Sequence, residues 1–114
     1  MLEEKICIVT GAGRGIGRTT ARMMAERGAK VVVSDVNDDE GAETADLIEK
    51  AGGEAIYIRC DVSKEEDIVR LIDQAAQHFG GIDVLHNNAG VHETYFTEQA
   101  TVEEIDSAIW QKVI

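Results

Sequence analysis

Several features that mark other classes of protein are missing from this 114-residue chain. It has no proline, and no internal repeat, low-complexity tract or composition shift divides it, so we expect one domain over residues 1–114. No apolar run approaches the roughly 18 residues that span a bilayer. The N-terminus lacks the basic flank and long apolar stretch of a secretory signal. These absences predict a cytoplasmic location.

Positive charge is also scarce. The chain has 11 Lys and Arg residues and 22 Asp and Glu residues, which gives a formal net charge of -11. Nucleic-acid binding needs a surplus of Lys and Arg, so this class of partner is excluded, and an anionic membrane surface is disfavoured. A single dinucleotide is not excluded, because backbone N–H groups and a helix N-terminus can hold a pyrophosphate without net positive charge.

The residues that most often bind metals or react as nucleophiles are few and badly spaced. Cys7 and Cys60 have no partner at metal-ligand spacing, so we predict two reduced thiols packed beside a sheet and no metal site. No acid is placed by spacing beside His78, His86 or His92, and we assign none of them a catalytic role. His86 is expected to pack at the end of a strand.

What the chain does have is a regular alternation of short apolar runs and amphipathic stretches. Strands are predicted at residues 6–9, 31–33, 56–58 and 82–85. Helices lie between them and end at Gly28, Gly52–Gly53 and Gly80–Gly81. This order predicts an α/β fold, a doubly wound, Rossmann-like parallel sheet with strand order 3-2-1-4.

Helix start signals agree with this order. Asn37 or Asp38 can cap the second helix. Capping boxes at residues 63–66 and 101–104 predict the starts of the third and fourth helices. The fourth helix has an apolar face, formed by Ile105, Ala108, Ile109 and Val113, and no stop signal. We therefore expect the sheet to be truncated before its later strands.

A glycine-rich turn follows the first strand. Residues 10–17 read TGxxxGxG, which differs from the GxGxxG fingerprint. Gly11 is expected to make the tight turn, Gly15 to lie near a pyrophosphate, and Gly17 to let the helix pack closely. We predict a cofactor-binding turn, with Arg14 and Ile16 also part of it; a plain strand-to-helix connection is the alternative.

Asp35 closes the second strand, about 20 residues beyond the glycines. A carboxylate there can accept both hydroxyls of an adenosine ribose and would repel a 2′-phosphate. NAD is therefore favoured over NADP as the cofactor. Ordinary turn chemistry is the competing explanation for Asp35, and Arg14, which could reach a 2′-phosphate, is the one hint of NADP.

Three motifs together resemble the short-chain dehydrogenase/reductase family: the TGxxxGxG turn, Asp61-Val62 after the third strand, and residues 87–90, Asn-Asn-Ala-Gly, after the fourth. The resemblance covers residues 5–114. It implies that Asp61 accepts from the adenine amine and that Val62 contacts adenine through its backbone N–H. It also implies that Asn88, Ala89 and Gly90 pack along the adenosine ribose, and that Asn87 ties adjacent strands together.

The resemblance further implies hydride transfer between a nicotinamide cofactor and an alcohol or ketone, assisted by a Tyr-x-x-x-Lys pair. Neither tyrosine fits, because Tyr57 is followed four residues on by Asp61 and Tyr95 by Gln99. We assign no catalytic residue. The chain is interpreted as the incomplete cofactor-binding part of such an enzyme, inactive alone. The alternatives are a non-catalytic dinucleotide-binding half-domain and a regulatory or structural fragment.

Association with further copies is also expected. A sheet that stops at the fourth strand leaves an unpaired edge, and the last helix carries an apolar face. Either surface predicts a homo-oligomer.

Overall fold

The computed structural model describes residues 2–88, which form four strands and three helices in strict alternation. Their bounds in chain order are β1 (Ile6–Thr10), α1 (Gly15–Glu26), β2 (Lys30–Asp35), α2 (Asp38–Lys50), β3 (Glu54–Arg59), α3 (Glu65–Phe79) and β4 (Val84–Asn87). All paired strands are parallel, in the order β3-β2-β1-β4. The predicted doubly wound fold and its 3-2-1-4 order are confirmed. Ala89, Gly90 and the predicted fourth helix lie outside the described residues.

The sheet is covered on both faces, which explains why its inner strands are apolar runs rather than alternating ones. Cys7, Val9, Val31 and Val33 face α1 and α2. The intervening residues face α3, whose buried stripe consists of Ile68, Leu71, Ile72 and Ala75. Two apolar layers therefore fix the sheet and bring the ends of β1, β2 and β3 to one edge.

Helix termini follow the predicted signals with one exception. Asn37 caps α2, since its side chain accepts from the Glu40 N–H at 2.9 Å. The predicted helix stops carry positive φ angles at Gly28, Gly52 and Gly80. The predicted capping box at Ser63 is wrong: the Ser63 hydroxyl donates to Asp61 at 2.6 Å instead, and Lys64 precedes α3 without a side-chain cap.

β4 lies two residues later than predicted, at Val84–Asn87 instead of residues 82–85. Asp83 is the cause, because its carboxylate accepts from the Ile6 N–H at 2.9 Å and its own N–H donates to the Ile6 carbonyl at 2.8 Å. This double contact precedes the regular pairing, which begins with Cys7 opposite Val84. His86, expected at the end of a strand, is the penultimate residue of β4 and lies opposite Val9.

The two cysteines are free and buried, as predicted for thiols packed beside the sheet. Among the helices of residues 2–88, none is long and apolar enough to cross a bilayer.

Candidate dinucleotide-binding site

A cleft of ≈ 870 Å³ opens at the sheet edge where β1, β2 and β3 end. In open α/β sheets, ligands bind outside the carboxyl ends of the strands, and this cleft has that position. Its lining comes from the glycine turn, the β2–α2 turn, the residues after β3, and the end of β4: Gly11, Arg14, Gly15, Asp35, Val36, Asn37, Glu40, Arg59, Cys60, Asp61, Val62, Ser63 and Asn88.

Most of the predicted site residues meet in this cleft. Those that line it are Gly11, Arg14, Gly15, Asp35, Asp61, Val62 and Asn88. Ile16 and Gly17 do not line it. Ile16 is 75% exposed at the start of α1, and Gly17 is buried beneath the turn. Ala89 and Gly90 lie outside the described residues.

The glycine turn has the left-handed backbone that its sequence predicts. Gly11 and Gly15 have φ of 61° and 60°, a region that residues with a side chain rarely adopt. Gly15 borders the cleft, and a Cβ built on it would meet nothing within 4 Å. The turn therefore presents bare backbone toward the cleft.

Gly17 is needed for a different reason. A Cβ at this position would lie 2.0 Å from the Gly11 carbonyl oxygen and 2.7 Å from Asn88 Nδ2. The first turn of α1 thus packs directly against the backbone of the glycine turn, and only a hydrogen atom fits between them.

The N-terminus of α1 is electrostatically unlike the other helix starts in residues 2–88. It has no side-chain cap and no acidic residue in its first turn, whereas α2 and α3 each begin with three acidic residues. The first N–H groups of a helix have no intrahelical partner, and the helix dipole favours an anion beside them. The α1 N-terminus is therefore the point in the cleft best suited to a phosphate.

Asp35, the last residue of β2, supports the glycine turn from the neighbouring strand. Its Oδ2 accepts from the Gly13 N–H at 2.8 Å, and its Oδ1 accepts from the Asn37 N–H at 3.0 Å. A carboxylate oxygen has two lone pairs, so each retains a second acceptor site. Both interpretations of Asp35 are thus compatible, since it makes turn contacts and also borders the cleft.

Tyr57 holds the Asp35 turn from the neighbouring strand. Its hydroxyl lies 2.9 Å from the Asp35 carbonyl oxygen and 2.6 Å from Asp38 Oδ1. Burial, followed by the hydrogen bond to Asp38, raises the pKa of Tyr57. The ring packs against Gly41 of α2, where a Cβ would lie 2.1 Å from Tyr57 Cε1.

Asp61 and Val62 follow β3 and form the opposite wall. Asp61 Oδ1 accepts from the Ser63 hydroxyl at 2.6 Å and from the Ser63 N–H at 3.0 Å, and these bonds lower the pKa of Asp61. The carboxylate is therefore ionised and held in place at neutral pH. Val62 is 8% exposed and joins the core on the α3 side.

Sequence reasoning missed six lining residues: Val36, Asn37, Glu40, Arg59, Cys60 and Ser63. The parallel register could have found Arg59, because it pairs with Asp35 across β2 and β3. The Arg59 guanidinium donates to the Val36 carbonyl and lies 3.4 Å from Asp38. Burial raises the pKa of the Cys60 thiol to about 12, so the thiol stays protonated at neutral pH.

The side chain of Asn87 connects β4 to β1 at the end of the cleft, as the sequence predicts. The Thr10 hydroxyl donates to Asn87 Oδ1 at 2.7 Å and accepts from the Asn88 N–H at 2.9 Å. Asn87 thus ties two adjacent strands, as predicted. Of the histidines, His78 lies on α3 against Phe79 and His86 lies in β4; neither lines the cleft, and His92 is outside the described residues.

The family model for short chain dehydrogenases matches residues 5–114 of this chain. The chain belongs to the short-chain dehydrogenase family. Members of this family bind nicotinamide dinucleotides, and the cleft has the position that such a ligand takes in a Rossmann-like sheet.

Individual short-chain dehydrogenases are similar over most of the chain. Cis-4-hydroxycyclohexanecarboxylate dehydrogenase of Sinomonas cyclohexanicum is 46% identical over 112 residues, which are 97% of this chain and 43% of the relative. Tropinone reductase-like 1 of Erythroxylum coca is 48% identical over 92 residues, which are 81% of this chain and 33% of the relative. The chain thus spans less than half the length of these relatives.

Solved structures agree on the fold. A 7α-hydroxysteroid dehydrogenase, determined with NADH and 7-oxo glycochenodeoxycholic acid, superposes with a TM-score of 0.73 at 43% identity. The match covers 74% of this chain and 33% of that structure.

Proposed function

We propose that this chain is the cofactor-binding domain, over residues 1–114, of an oxidoreductase that transfers a hydride between NAD and an alcohol or ketone. The observation that carries the proposal is the cleft itself. On one side lies the N-terminus of α1, which has no side-chain cap and no acidic residue in its first turn. On the other side lies the carboxylate of Asp35.

The pyrophosphate end of the site is formed by the glycine turn. Gly11 and Gly15 let the phosphates approach the backbone, and Arg14 supplies a positive charge at the same wall. Ile16 and Gly17 continue the turn into the first N–H groups of α1, where an anion is favoured by about 0.3–1 kcal/mol at an exposed site. No excess of basic residues is needed, which fits the acidic composition.

The adenosine end is formed by the walls after β2, β3 and β4. The Asp35 carboxylate accepts hydrogen bonds from the ribose hydroxyls through the lone pairs that are not used by the N–H groups of Gly13 and Asn37. Asp61 and Val62 contact the adenine. Asn88, together with Ala89 and Gly90, packs along the ribose.

NAD is preferred to NADP. A 2′-phosphate would lie against the Asp35 carboxylate, with Glu40 in the same wall. Arg59 does not offset this repulsion freely, because its guanidinium is already bound to the Val36 carbonyl and lies beside Asp38.

The bound cofactor supplies or accepts the hydride, and the residues of this chain bind and orient it. The sequence contains no Tyr-x-x-x-Lys pair, so the 114-residue chain alone does not catalyse the transfer. It acts in the cytoplasm and associates with further copies. Within residues 2–88, β4 pairs only with β1, and in this described part of the sheet its outer side offers backbone groups to a second chain.

The test is titration of the 114-residue chain with NADH and with NADPH by calorimetry. We expect saturable NADH binding and weaker NADPH binding. Asp35→Asn removes the charge and one acceptor, so NADH affinity should fall by about tenfold or more while NADPH affinity falls less. Asp46→Asn is the matched control, because it removes one carboxylate from the same helix–turn unit, where Asp46 pairs with Lys50 away from the cleft.

Absence of NADH binding by the wild-type chain would contradict the proposal. Equal loss of NADH affinity in Asp35→Asn and Asp46→Asn would show that Asp35 acts only through general charge and not through the ribose.

A further inference from the structure

One buried polar side chain outside the cleft contacts the glycine turn from behind. Thr44 lies on α2 and is 0% exposed. Its hydroxyl is 2.8 Å from the carbonyl oxygen of Ala12 and 3.2 Å from that of Glu40, one turn earlier in the same helix. Threonine in a helix commonly bonds its own i−4 carbonyl, so the shorter contact to a separate segment is notable.

Arg18 of α1 determines which way this hydroxyl points. Its Nε donates to Thr44 Oγ1 at 2.9 Å, while one Nη reaches Glu43 at 2.8 Å and the Glu40 carbonyl at 3.3 Å. A hydroxyl has one proton to donate. Arg18 Nε–H occupies one acceptor lone pair of the Thr44 hydroxyl, and Arg18 also donates to the Glu40 carbonyl. The Thr44 hydroxyl proton is therefore directed to the carbonyl oxygen of Ala12.

The contact fixes one particular peptide group. The carbonyl of Ala12 and the N–H of Gly13 belong to the same planar unit. Thr44 binds the carbonyl at 2.8 Å, and Asp35 binds the N–H at 2.8 Å. A rotation of this peptide would break both bonds at once, and the residues on either side of it, Gly11 and Arg14, line the cleft.

We propose that Thr44 is a positioning residue for the dinucleotide. It holds the Ala12–Gly13 peptide so that the turn backbone faces the phosphates and Asp35 stays oriented toward the ribose. This inference rests on the proposed NAD-binding function and adds a residue that touches neither the cofactor nor the cleft.

The test compares Thr44→Val, which keeps the shape and removes the hydroxyl, with Thr44→Ser, which keeps the hydroxyl. Thr44→Val leaves the buried Ala12 carbonyl without its partner, so NADH affinity should fall by about tenfold. Thr44→Ser should restore affinity to within about twofold of wild type. Thr19→Val is the matched control, because Thr19 is exposed on α1 and does not line the cleft.

A second measurement separates positioning from general stability. Hydrogen exchange of the Gly13 N–H should accelerate in Thr44→Val relative to core amides such as that of Val32, whereas a purely structural role would accelerate both alike. Wild-type NADH affinity in Thr44→Val, or uniform acceleration of exchange, would overturn the inference.

Arg18→Met keeps the inference testable if Thr44→Val does not fold. The Arg18 side chain is 24% exposed, so the change removes its bond to Thr44 without emptying the core. It should lower NADH affinity severalfold and accelerate Gly13 exchange, and no change in either would count against the inference. A wild-type chain that binds no NADH would instead contradict the proposed function, and Gly13 exchange would still decide whether Thr44 holds the turn.

Discussion

Gly17→Ala tests how closely the glycine turn and α1 must approach. The added Cβ would lie 2.0 Å from the Gly11 carbonyl oxygen, and real Cβ contacts are essentially never shorter than 3.0 Å. The two backbones must therefore separate by about 1 Å. The obstacle is main chain, so no flexible side chain can absorb the movement.

Two effects of this displacement can be sized. Overpacking of this kind costs about 1–3 kcal/mol of unfolding free energy. A shift of about 1 Å in groups that position a ligand can cost about 10²-fold in function. We therefore expect Gly17→Ala to lower both the free energy of unfolding, by about 1–3 kcal/mol, and the NADH affinity, by up to about 10²-fold, measured by urea denaturation and by calorimetry of the same samples.

Two other glycines serve as controls for this experiment. A Cβ on Gly81 meets nothing within 4 Å and its φ is not left-handed, so Gly81→Ala should change stability by less than about 0.5 kcal/mol. Gly15→Ala has space but a φ of +60°, so it should cost about 1–2 kcal/mol of backbone strain without a clash. Wild-type affinity and stability in Gly17→Ala would refute the close-approach argument.

Two further predictions concern the core around the cleft. Gly41→Ala should cost about 2 kcal/mol, because its Cβ would lie 2.1 Å from Tyr57 Cε1, and combining it with Tyr57→Leu should recover part of this loss in urea denaturation. The folded pKa of Cys60, about 12, lies above its ordinary value of 9.0, so its stabilising contribution is complete below pH 9 and is lost as pH rises toward 12. Urea midpoints should therefore fall more steeply from pH 8 to pH 10 in wild type than in Cys60→Ala, and equal slopes would contradict the shift.

The strand order and most site residues could be predicted because they depend on local pattern. Apolar runs such as Val31–Val33 mark strands buried on both faces, and parallel pairing then brings their ends to one edge. Asp35 ends one such strand and Asp61 lies two residues beyond the next, so parallel pairing brings both to the cleft. The resemblance to the family, rather than topology, points to Asp61 in the sequence.

The wrong or missing predictions concern polar side chains whose hydrogen-bond partner is distant in sequence or differs from the partner that the local motif predicts. Asp83 binds Ile6, 77 residues away, and moves the start of β4. Ser63 has the spacing of a helix cap, but its hydroxyl donates to the Asp61 carboxylate, and α3 begins at the next position but one without a side-chain cap. Thr44 gave no signal at all, since a threonine within a helix is common and its role depends on a turn 32 residues earlier.

The engagement of Asp35 with the Gly13 N–H has a consequence for how cofactor preference can change in this chain. Replacing Asp35 with a basic or apolar residue would relieve repulsion of a 2′-phosphate, but it would also leave the Gly13 N–H without its acceptor. The same side chain thus serves both selectivity and loop architecture. A switch toward NADP that places a basic or apolar residue at position 35 therefore needs a second substitution, one that supplies a new acceptor behind the glycine turn.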